Sequence, residues 1–211
     1  MGQGNIVVFS FGTFFGKVFS KDRIPVADVL GCVVKGMSQV AGATFFHVSI
    51  AVREFSGLVC RWRAASVSKN FVRRTEIGEI PEFCKEFGFH GALLIGHIGK
   101  FVKLAGGMWN THSKFGDCRM ELIASHSAAL GLRAERTEEI LHCATCDDAL
   151  RILDEEGLKD AFLVRLGQRI GTMLGYKSGE LQSGAILFSK EYGFLCETEG
   201  AEELLEQIRE G

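Results

Sequence analysis

Groups suited to proton transfer and anion binding are concentrated in a short glycine loop near the middle of the chain. Residues 96–100 read Gly-His-Ile-Gly-Lys. An unperturbed histidine titrates near neutral pH, so His97 is a candidate for proton transfer, with a hydrogen-bonded structural histidine as an equal alternative. The loop amides and Lys100 suit a carboxylate or another anion at a helix N-terminus, against the alternative of a purely structural turn.

A second polar cluster follows shortly afterwards in the sequence. Residues 110–121 read Asn-Thr-His-Ser-Lys-Phe-Gly-Asp-Cys-Arg-Met-Glu. A helix is predicted from about 117 to 130, and on it Asp117, Glu121 and Ser125 fall at successive i, i+4 positions. Two carboxylates are therefore expected to share one helical face, beside a stretch rich in hydrogen-bond donors and acceptors.

Other familiar site motifs are incomplete in this sequence. The glycine loop lacks the spacing of a Walker A motif and the Ser or Thr after its lysine, so triphosphate binding is a weak alternative. Cys143 and Cys146 form a single CxxC pair without a second pair at zinc-ribbon spacing, which favours a structural role. His112 and His126 are too far apart for a helical zinc pair, and no GxSxG nucleophile motif is present.

An alternation of strands and helices is predicted to position the two clusters. Residues 76–87 have a helical period, in which Pro81 is tolerated only in a first turn, and the helix ends at Gly88 and leads into a buried strand at 91–95. Ligands of open α/β sheets usually bind at the carboxyl end of such a strand. Further strands are predicted at 5–10, 44–52, 58–62, 184–188 and 194–196, and further helices within 23–40 and at 101–108, 134–141, 146–155, 159–174 and 201–209.

Overall composition excludes some partners and compartments. The 24 basic and 26 acidic residues nearly balance, which leaves no net field to attract nucleic acid. The apolar run from Ile6 to Phe19 is interrupted by polar residues and glycines and is shorter than a membrane span, so no transmembrane helix is predicted. Seven cysteines without the spacing of a disulfide scaffold, and an N-terminus unlike a signal peptide, favour the cytoplasm.

The two polar clusters lie inside a long stretch that resembles a known family. Residues 91–113, followed by residues 117–124, are similar to the central signature of the CbiD family. The resemblance is supported by Glu-Ile-Gly-Glu at 76–79, Cys-Asp-Asp-Ala-Leu at 146–150 and the late strand at 184–189. It covers about residues 75–190, and the opening strand with its glycine turn is weakly similar as well.

This resemblance implies a fold and an activity. The expected fold is α/β, with a CbiD-like core on a parallel, Rossmann- or flavodoxin-like sheet and a smaller C-terminal α+β part. The core would occupy residues 1–140, including a segment at about 30–72 that does not match the family, and the smaller part residues 141–211. The implied reaction is S-adenosylmethionine-dependent C-methylation of cobalt-precorrin-5B at C1, in anaerobic cobalamin (corrin) biosynthesis.

We hypothesise that the two polar clusters form one cleft for this reaction. A carboxylate-rich macrocycle requires cations and amides, and methyl transfer requires close positioning of the donor and the acceptor carbon. The expected catalytic residues are His97, His112 and Asp117, the expected cofactor-binding residues are Gly96, Gly99, Lys100 and Glu121, and the expected substrate-binding residues are Asn110, Thr111, Ser113 and Arg119, with no metal ligand.

The resemblance also bears on partners. The expected ligand is a cobalt-containing tetrapyrrole, nucleic acid and membranes are not expected, and a homo-oligomer or a complementing chain is left open. The Thr-Thr-Gly and Cys-Ala-rich motifs of the family's N-terminal region are not found in this sequence, so part of the family's site is expected to lie outside it. The alternative interpretation is a truncated, noncatalytic CbiD-like protein that binds a tetrapyrrole or a partner chain.

Overall fold

The protein is α/β, as predicted, with helices on both faces of one mixed sheet. A computed structural model describes residues 5–11, 51–56, 59–63 and 77–210. Six strands lie in the order β3-β2-β1-β4-β5-β6. They are β1 (Asn5–Phe11), β2 (Ala51–Ser56), β3 (Val59–Arg63), β4 (Phe89–His97), β5 (Gln182–Ser189) and β6 (Gly193–Glu197).

The three central strands run parallel, and the outer strands are antiparallel to their neighbours. Val8 of β1 pairs with Leu93 of β4, and Ile95 of β4 pairs with Ile186 of β5, both in parallel register. The pairs β1–β2, β2–β3 and β5–β6 are antiparallel. The sheet is therefore mixed rather than wholly parallel, and the narrower Rossmann- or flavodoxin-like assignment stays a prediction.

The helices of the described part agree closely with the sequence pattern. Pro81 lies in the first turn of α1, and Gly88 ends that helix with a φ of 71°. The Thr145 hydroxyl accepts a hydrogen bond from the Asp148 amide and so caps α5. The helices are α1 (Ile80–Phe87), α2 (Ile98–Phe101), α3 (Arg119–Ala128), α4 (Ala134–Leu141), α5 (Cys146–Glu155), α6 (Lys159–Ser178) and α7 (Glu199–Glu210).

Two predicted helices differ from those observed. The helical face predicted over 101–108 is a short α2 that continues as a 3-10 helix over Val102–Gly106 and ends at Gly107. The helix predicted from about 117 begins at Arg119, so Asp117 lies before it and does not share a helical face with Glu121. The side chain of Asp117 instead accepts a hydrogen bond from the Arg119 amide, which ends the loop in front of the helix.

Alternate residues of the central strands face two separate hydrophobic clusters. Ala92 and Leu94 of β4 pack into the larger cluster with α1 and α3–α6. Leu93 and Ile95 face the opposite side, where they meet Leu204 of α7. Because both faces are covered, β4 and β5 are nearly continuous apolar runs, which is typical of parallel strands in α/β proteins.

The predicted two-part division at residue 140 stays a prediction, although one sheet contains strands from both parts. β5, from the predicted smaller part, pairs along its length with β4 of the predicted core. The features predicted within 12–50 lie outside the described residues. Among the helices that are described, none is both long and apolar enough to cross a membrane.

Candidate functional site

The candidate site is built at the carboxyl end of β4, where the strand turns directly into α2. His97 is the last residue of β4 and the N-cap of α2, and its Nδ1 accepts a hydrogen bond of 3.0 Å from the Gly99 amide. The ring also packs edge-on against Phe188, with 5.7 Å between ring centroids. Since Nδ1 is an acceptor, the neutral ring carries its proton on Nε2.

The two glycines of the loop have different surroundings, and each lacks a side chain for a different structural reason. A Cβ on Gly96 would lie 2.3 Å from the ring of Phe101, so this glycine makes room for a core side chain. A Cβ on Gly99 would lie 3.2 Å from His97 Nδ1 and 4.0 Å from Arg119 Nη1. Of the two, only Gly99 therefore borders the polar groups of the site.

Positive charge surrounds His97. Burial lowers the pKa of His97; Asp147 opposes this, and the nearby cations Lys190, Lys100 and Arg119 lower the pKa further. Burial, with a smaller effect from Lys103, also lowers the pKa of Lys100 to about 8. At neutral pH the site therefore presents an uncharged imidazole beside a lysine that is still largely protonated.

Lys103 is a buried cation whose contacts hold the second polar cluster near the end of β4. Its side chain is 2 % exposed, and its ammonium donates hydrogen bonds to the carbonyl oxygens of Thr111 at 3.4 Å and Gly116 at 2.9 Å. Its Nζ also lies 3.8 Å from Asp117 Oδ1. All three partners lie in the loop over 110–117, so the position of this loop depends on one side chain from the turn after α2.

The loop itself is held by local contacts of polar side chains. Asn110 Oδ1 accepts a hydrogen bond of 3.2 Å from the His112 amide, and His112 Nδ1 accepts one of 3.1 Å from the Lys114 amide. His112 and Ser113 are exposed, whereas Asn110 and Thr111 are half-buried. The expected substrate-binding side chains of this cluster therefore lie on one ordered surface loop.

Asp117 and Arg119 form a bidentate ion pair at the end of this loop. Arg119 Nε and Nη2 donate to the two carboxylate oxygens of Asp117 at 2.8 Å and 2.6 Å. The hydrogen bonds from Arg119 lower the pKa of Asp117, although partial burial opposes this. Asp117 is therefore a weak base at neutral pH, and its main observed contact is with Arg119.

Arg119 brings the two predicted clusters together. Its guanidinium borders Gly99 of the first cluster, pairs with Asp117 of the second, and interacts with Cys146 at the start of α5. The glycine loop and the loop over 110–117 are thus neighbours, as the single-cleft hypothesis expects. Glu121 lies exposed in the first turn of α3.

Two features of this site were not predicted from the sequence. One is the burial of the Lys103 ammonium against backbone carbonyls. The other is the electrostatic influence of Asp147 on His97, because the sequence shows Asp147 only as part of the segment at 146–150 that resembles the family. Within the described ranges, no group of three or more His, Cys, Asp or Glu side chains is arranged to hold a metal ion.

Comparison with known proteins identifies the segment that contains much of this site. The family model for the CbiD C-terminal domain matches residues 110–199, which include the second polar cluster, Arg119 and Asp147. No solved structure gives a significant match.

Curated relatives agree with this match. A cobalt-precorrin-5B C(1)-methyltransferase of Alkaliphilus metalliredigens is 38% identical over 118 residues, which are 56% of this chain and 31% of the relative. The protein of the same name from Methanocaldococcus jannaschii is 44% identical over 95 residues, covering 41% of this chain and 26% of the relative. That of Edwardsiella ictaluri is 30% identical over 177 residues, covering 82% of this chain and 45% of the relative.

The chain spans about a third of the length of the first curated relatives that it matches, from 31% to 36%. Residues 110–199 thus match the CbiD C-terminal domain, and over the aligned residues the chain is similar to proteins named cobalt-precorrin-5B C(1)-methyltransferase.

Proposed function

We propose that the chain takes part in the S-adenosylmethionine-dependent methylation of cobalt-precorrin-5B at C1, in anaerobic cobalamin biosynthesis. The observation that carries the proposal is the CbiD C-terminal match over 110–199, together with relatives that are named as this methyltransferase. The match includes the loop that Lys103 and Arg119 connect to the carboxyl end of β4. That edge of an α/β sheet is the usual place for a ligand.

The charged groups of the site fit the carboxylates of the proposed ligands. Lys100, with a pKa of about 8, keeps most of its charge at neutral pH and suits a carboxylate better than its neutral neighbour His97 does. Arg119 has part of its guanidinium committed to Asp117, and its Nη1 lies on the Gly99 side. Both a carboxylated tetrapyrrole and the methionine part of the donor match this charge pattern.

The residues of the chain would then bind and orient the methyl donor and the acceptor, and they would exclude water. When bound, the donor supplies a methyl group on a sulfonium, and the carbon that accepts it must lie about 3–3.5 Å away and in line. His97 is held by Gly99 so that Nε2–H points away from the cap, which makes it a hydrogen-bond donor first and a base only after a tautomer change. Asp117, whose pKa Arg119 lowers, orients Arg119.

We also propose that Gly96 and Glu121 do not contact the donor directly. The space beside Gly96 is filled by Phe101, and Glu121 is exposed on α3. A cytoplasmic location is proposed with the activity. It is supported by five free thiols, as expected in a reducing compartment: Cys84, Cys118, Cys143, Cys146 and Cys196.

An anaerobic methyl-transfer assay tests the proposal. The chain is incubated with cobalt-precorrin-5B and S-adenosylmethionine carrying a labelled methyl group, and the labelled corrinoid is measured by mass spectrometry. Wild type and Lys85→Ala are expected to transfer the label, whereas Lys100→Ala is expected to transfer at least about tenfold less. Lys85 is an exposed lysine in the last turn of α1, just before the opposite end of β4, and is the matched control.

The result that would contradict the proposal is a folded wild-type chain that binds the corrinoid but transfers no label. That result would favour the noncatalytic alternative over the methyltransferase.

A further inference from the structure

Two exposed arginines on α6 differ from the other arginines whose side chains the structure describes. Arg165 and Arg169 have no carboxylate partner among the described residues. The others each form an ion pair with Asp or Glu: Arg119, Arg133, Arg136 and Arg151. Arg165 and Arg169 are four residues apart on one helix, so their side chains are neighbours, and like charges at this spacing repel each other. An anion bound between them would remove that repulsion.

His126 of α3 is joined directly to these arginines. Its Nδ1 accepts a hydrogen bond of 3.2 Å from Arg165 Nε, so the neutral ring carries its proton on Nε2 as a further donor. Burial lowers the pKa of His126, and Arg165 and Arg169 lower it further. Arg169 is held from another side, because its Nε donates to the Ala105 carbonyl oxygen at 3.0 Å. In the described contacts, each guanidinium thus uses its Nε and leaves its two Nη groups for another partner.

We propose that His126, Arg165 and Arg169 form an anion subsite, called here the arginine subsite, which binds a carboxylate of the tetrapyrrole substrate apart from the methyl donor. Guanidinium groups bind carboxylates and phosphates in bidentate fashion. The subsite is open to solvent, since both arginines are exposed and His126 is half-buried. The inference rests on the proposed function in its choice of ligand.

The position of the arginine subsite favours a ligand that carries several carboxylates. Arg119 and His126 are seven residues apart on one face of α3, which corresponds to about 10 Å along the helix. The segment after β4 runs beside them, because Gly99 borders Arg119 and the Ala105 carbonyl is bonded to Arg169. Cations therefore lie at both ends of this segment. Carboxylates spread around a macrocycle can occupy both ends, whereas a single phosphate needs only one.

Binding of uroporphyrin III to the whole chain tests the arginine subsite without methyl transfer. This stable tetrapyrrole carries carboxylate arms, and its fluorescence reports binding. Wild type is compared with the double alanine variant Arg165→Ala/Arg169→Ala and with the double lysine variant Arg165→Lys/Arg169→Lys, which keeps the charge. Arg151→Ala is the matched control, because it removes an exposed arginine of α5 that is already paired with Asp148.

The double alanine variant should bind uroporphyrin at least about tenfold more weakly than wild type, since both guanidinium partners of the carboxylate are lost. The double lysine variant should lose less affinity, and Arg151→Ala should bind as wild type does. The affinity of the double alanine variant for S-adenosylhomocysteine, measured by calorimetry, should equal that of wild type, because the methyl donor binds apart from the arginine subsite.

Other results overturn the arginine subsite. They are equal uroporphyrin binding by wild type and the double alanine variant, no uroporphyrin binding by folded wild type, and an equal loss of binding in Arg151→Ala. Calorimetry with inorganic phosphate separates the two oxyanions. Phosphate binding that needs both arginines, without uroporphyrin binding, would assign the subsite to a phosphate and refute the carboxylate.

Methyl transfer separates this inference from the proposed function. Uroporphyrin binding that depends on both arginines, in a chain that transfers no labelled methyl group, would leave the arginine subsite standing and refute the proposed reaction. Transfer to cobalt-precorrin-5B that is equally efficient in wild type and the double alanine variant at low substrate concentration would leave the reaction standing and refute the subsite.

Discussion

Two polar centres lie near the carboxyl end of β4, and they differ in how completely their groups are satisfied. In the Lys103 centre, the ammonium of the buried Lys103 donates to the carbonyls of Thr111 and Gly116 and lies near the exposed carboxylate of Asp117. The His97–Asp147 pair has one buried atom on each side chain without a partner in the described residues. A buried network in which every polar atom is hydrogen-bonded fixes the local structure. Buried polar atoms without protein partners are unusual, and water or a ligand commonly supplies the missing hydrogen bond.

This difference assigns separate tasks to neighbouring residues. Lys103 holds the loop over 110–117 against the end of the strand, and the loop in turn carries Asp117, which orients Arg119. The His97–Asp147 pair is held by elements that exist without the loop, β4 and α5. Substitutions in the first centre should therefore change stability, and substitutions in the second should change ligand binding.

The largest effect on stability is expected from Lys103→Met. The substitution keeps an unbranched chain but leaves the carbonyls of Thr111 and Gly116 without their donor, so the free energy of unfolding should fall by about 2–3 kcal/mol. Urea denaturation measures the change, and trypsin cleavage after Lys114 reports loosening of the loop. Lys85→Met, at an exposed site, should change neither, and a Lys103 variant as stable as wild type would make the two centres equivalent.

A smaller effect is expected from alanine at the two loop glycines. Gly96→Ala places a Cβ against the Phe101 ring and should lower the free energy of unfolding by about 1–3 kcal/mol through overpacking. Gly99→Ala meets only the His97 ring and the end of Arg119, and it should lower stability less than Gly96→Ala does. Thermal unfolding of both variants checks the order, and the reverse order would contradict the assignment of Gly96 to the core.

Asp117→Asn is expected to have a still smaller effect on stability. The ion pair with Arg119 is partly solvent-exposed, at 42% for Asp117 and 29% for Arg119, so its loss should lower the free energy of unfolding by less than about 1 kcal/mol. Ligand binding should weaken more clearly, because Arg119 loses its orienting partner. Denaturation and calorimetry on the same variant separate the two effects, and a stability loss as large as that of Lys103→Met would refute the separation of tasks.

The smallest effect is confined to mildly acidic pH. The pKa of His97 is lowered by burial below its ordinary value of 6.5, so the unfolded chain binds a proton that the folded chain resists. The free energy of unfolding should fall as pH drops below about 6.5, level off below the folded pKa, and be unaffected by this group above 6.5. His97→Gln should show a shallower fall than wild type or the exposed control His90→Gln, and parallel curves would contradict the burial of His97.

The sequence predicts the framework of the site better than its interior. Continuous apolar runs, Pro81, Gly88 and the Thr145 cap locate β4, α1 and α5 because these signals act within a few residues. The approach of Arg119 to Gly99 is a tertiary contact. The sequence predicts it only in a general form, as the hypothesis that the two polar clusters share one cleft. The burial of Lys103 and the approach of Asp147 to His97 leave no periodic signal, since both depend on how distant elements pack.

The central claim, that the carboxyl end of β4 binds the methyl donor, is tested most directly by calorimetry with S-adenosylhomocysteine. Wild type and Lys85→Ala should bind at pH 7, and Lys100→Ala should bind at least about tenfold more weakly. Wild-type binding should also weaken as pH rises above about 8, where Lys100 loses its proton. A folded wild-type chain that binds no S-adenosylhomocysteine, or a Lys100→Ala variant that binds it as wild type does, would contradict the account.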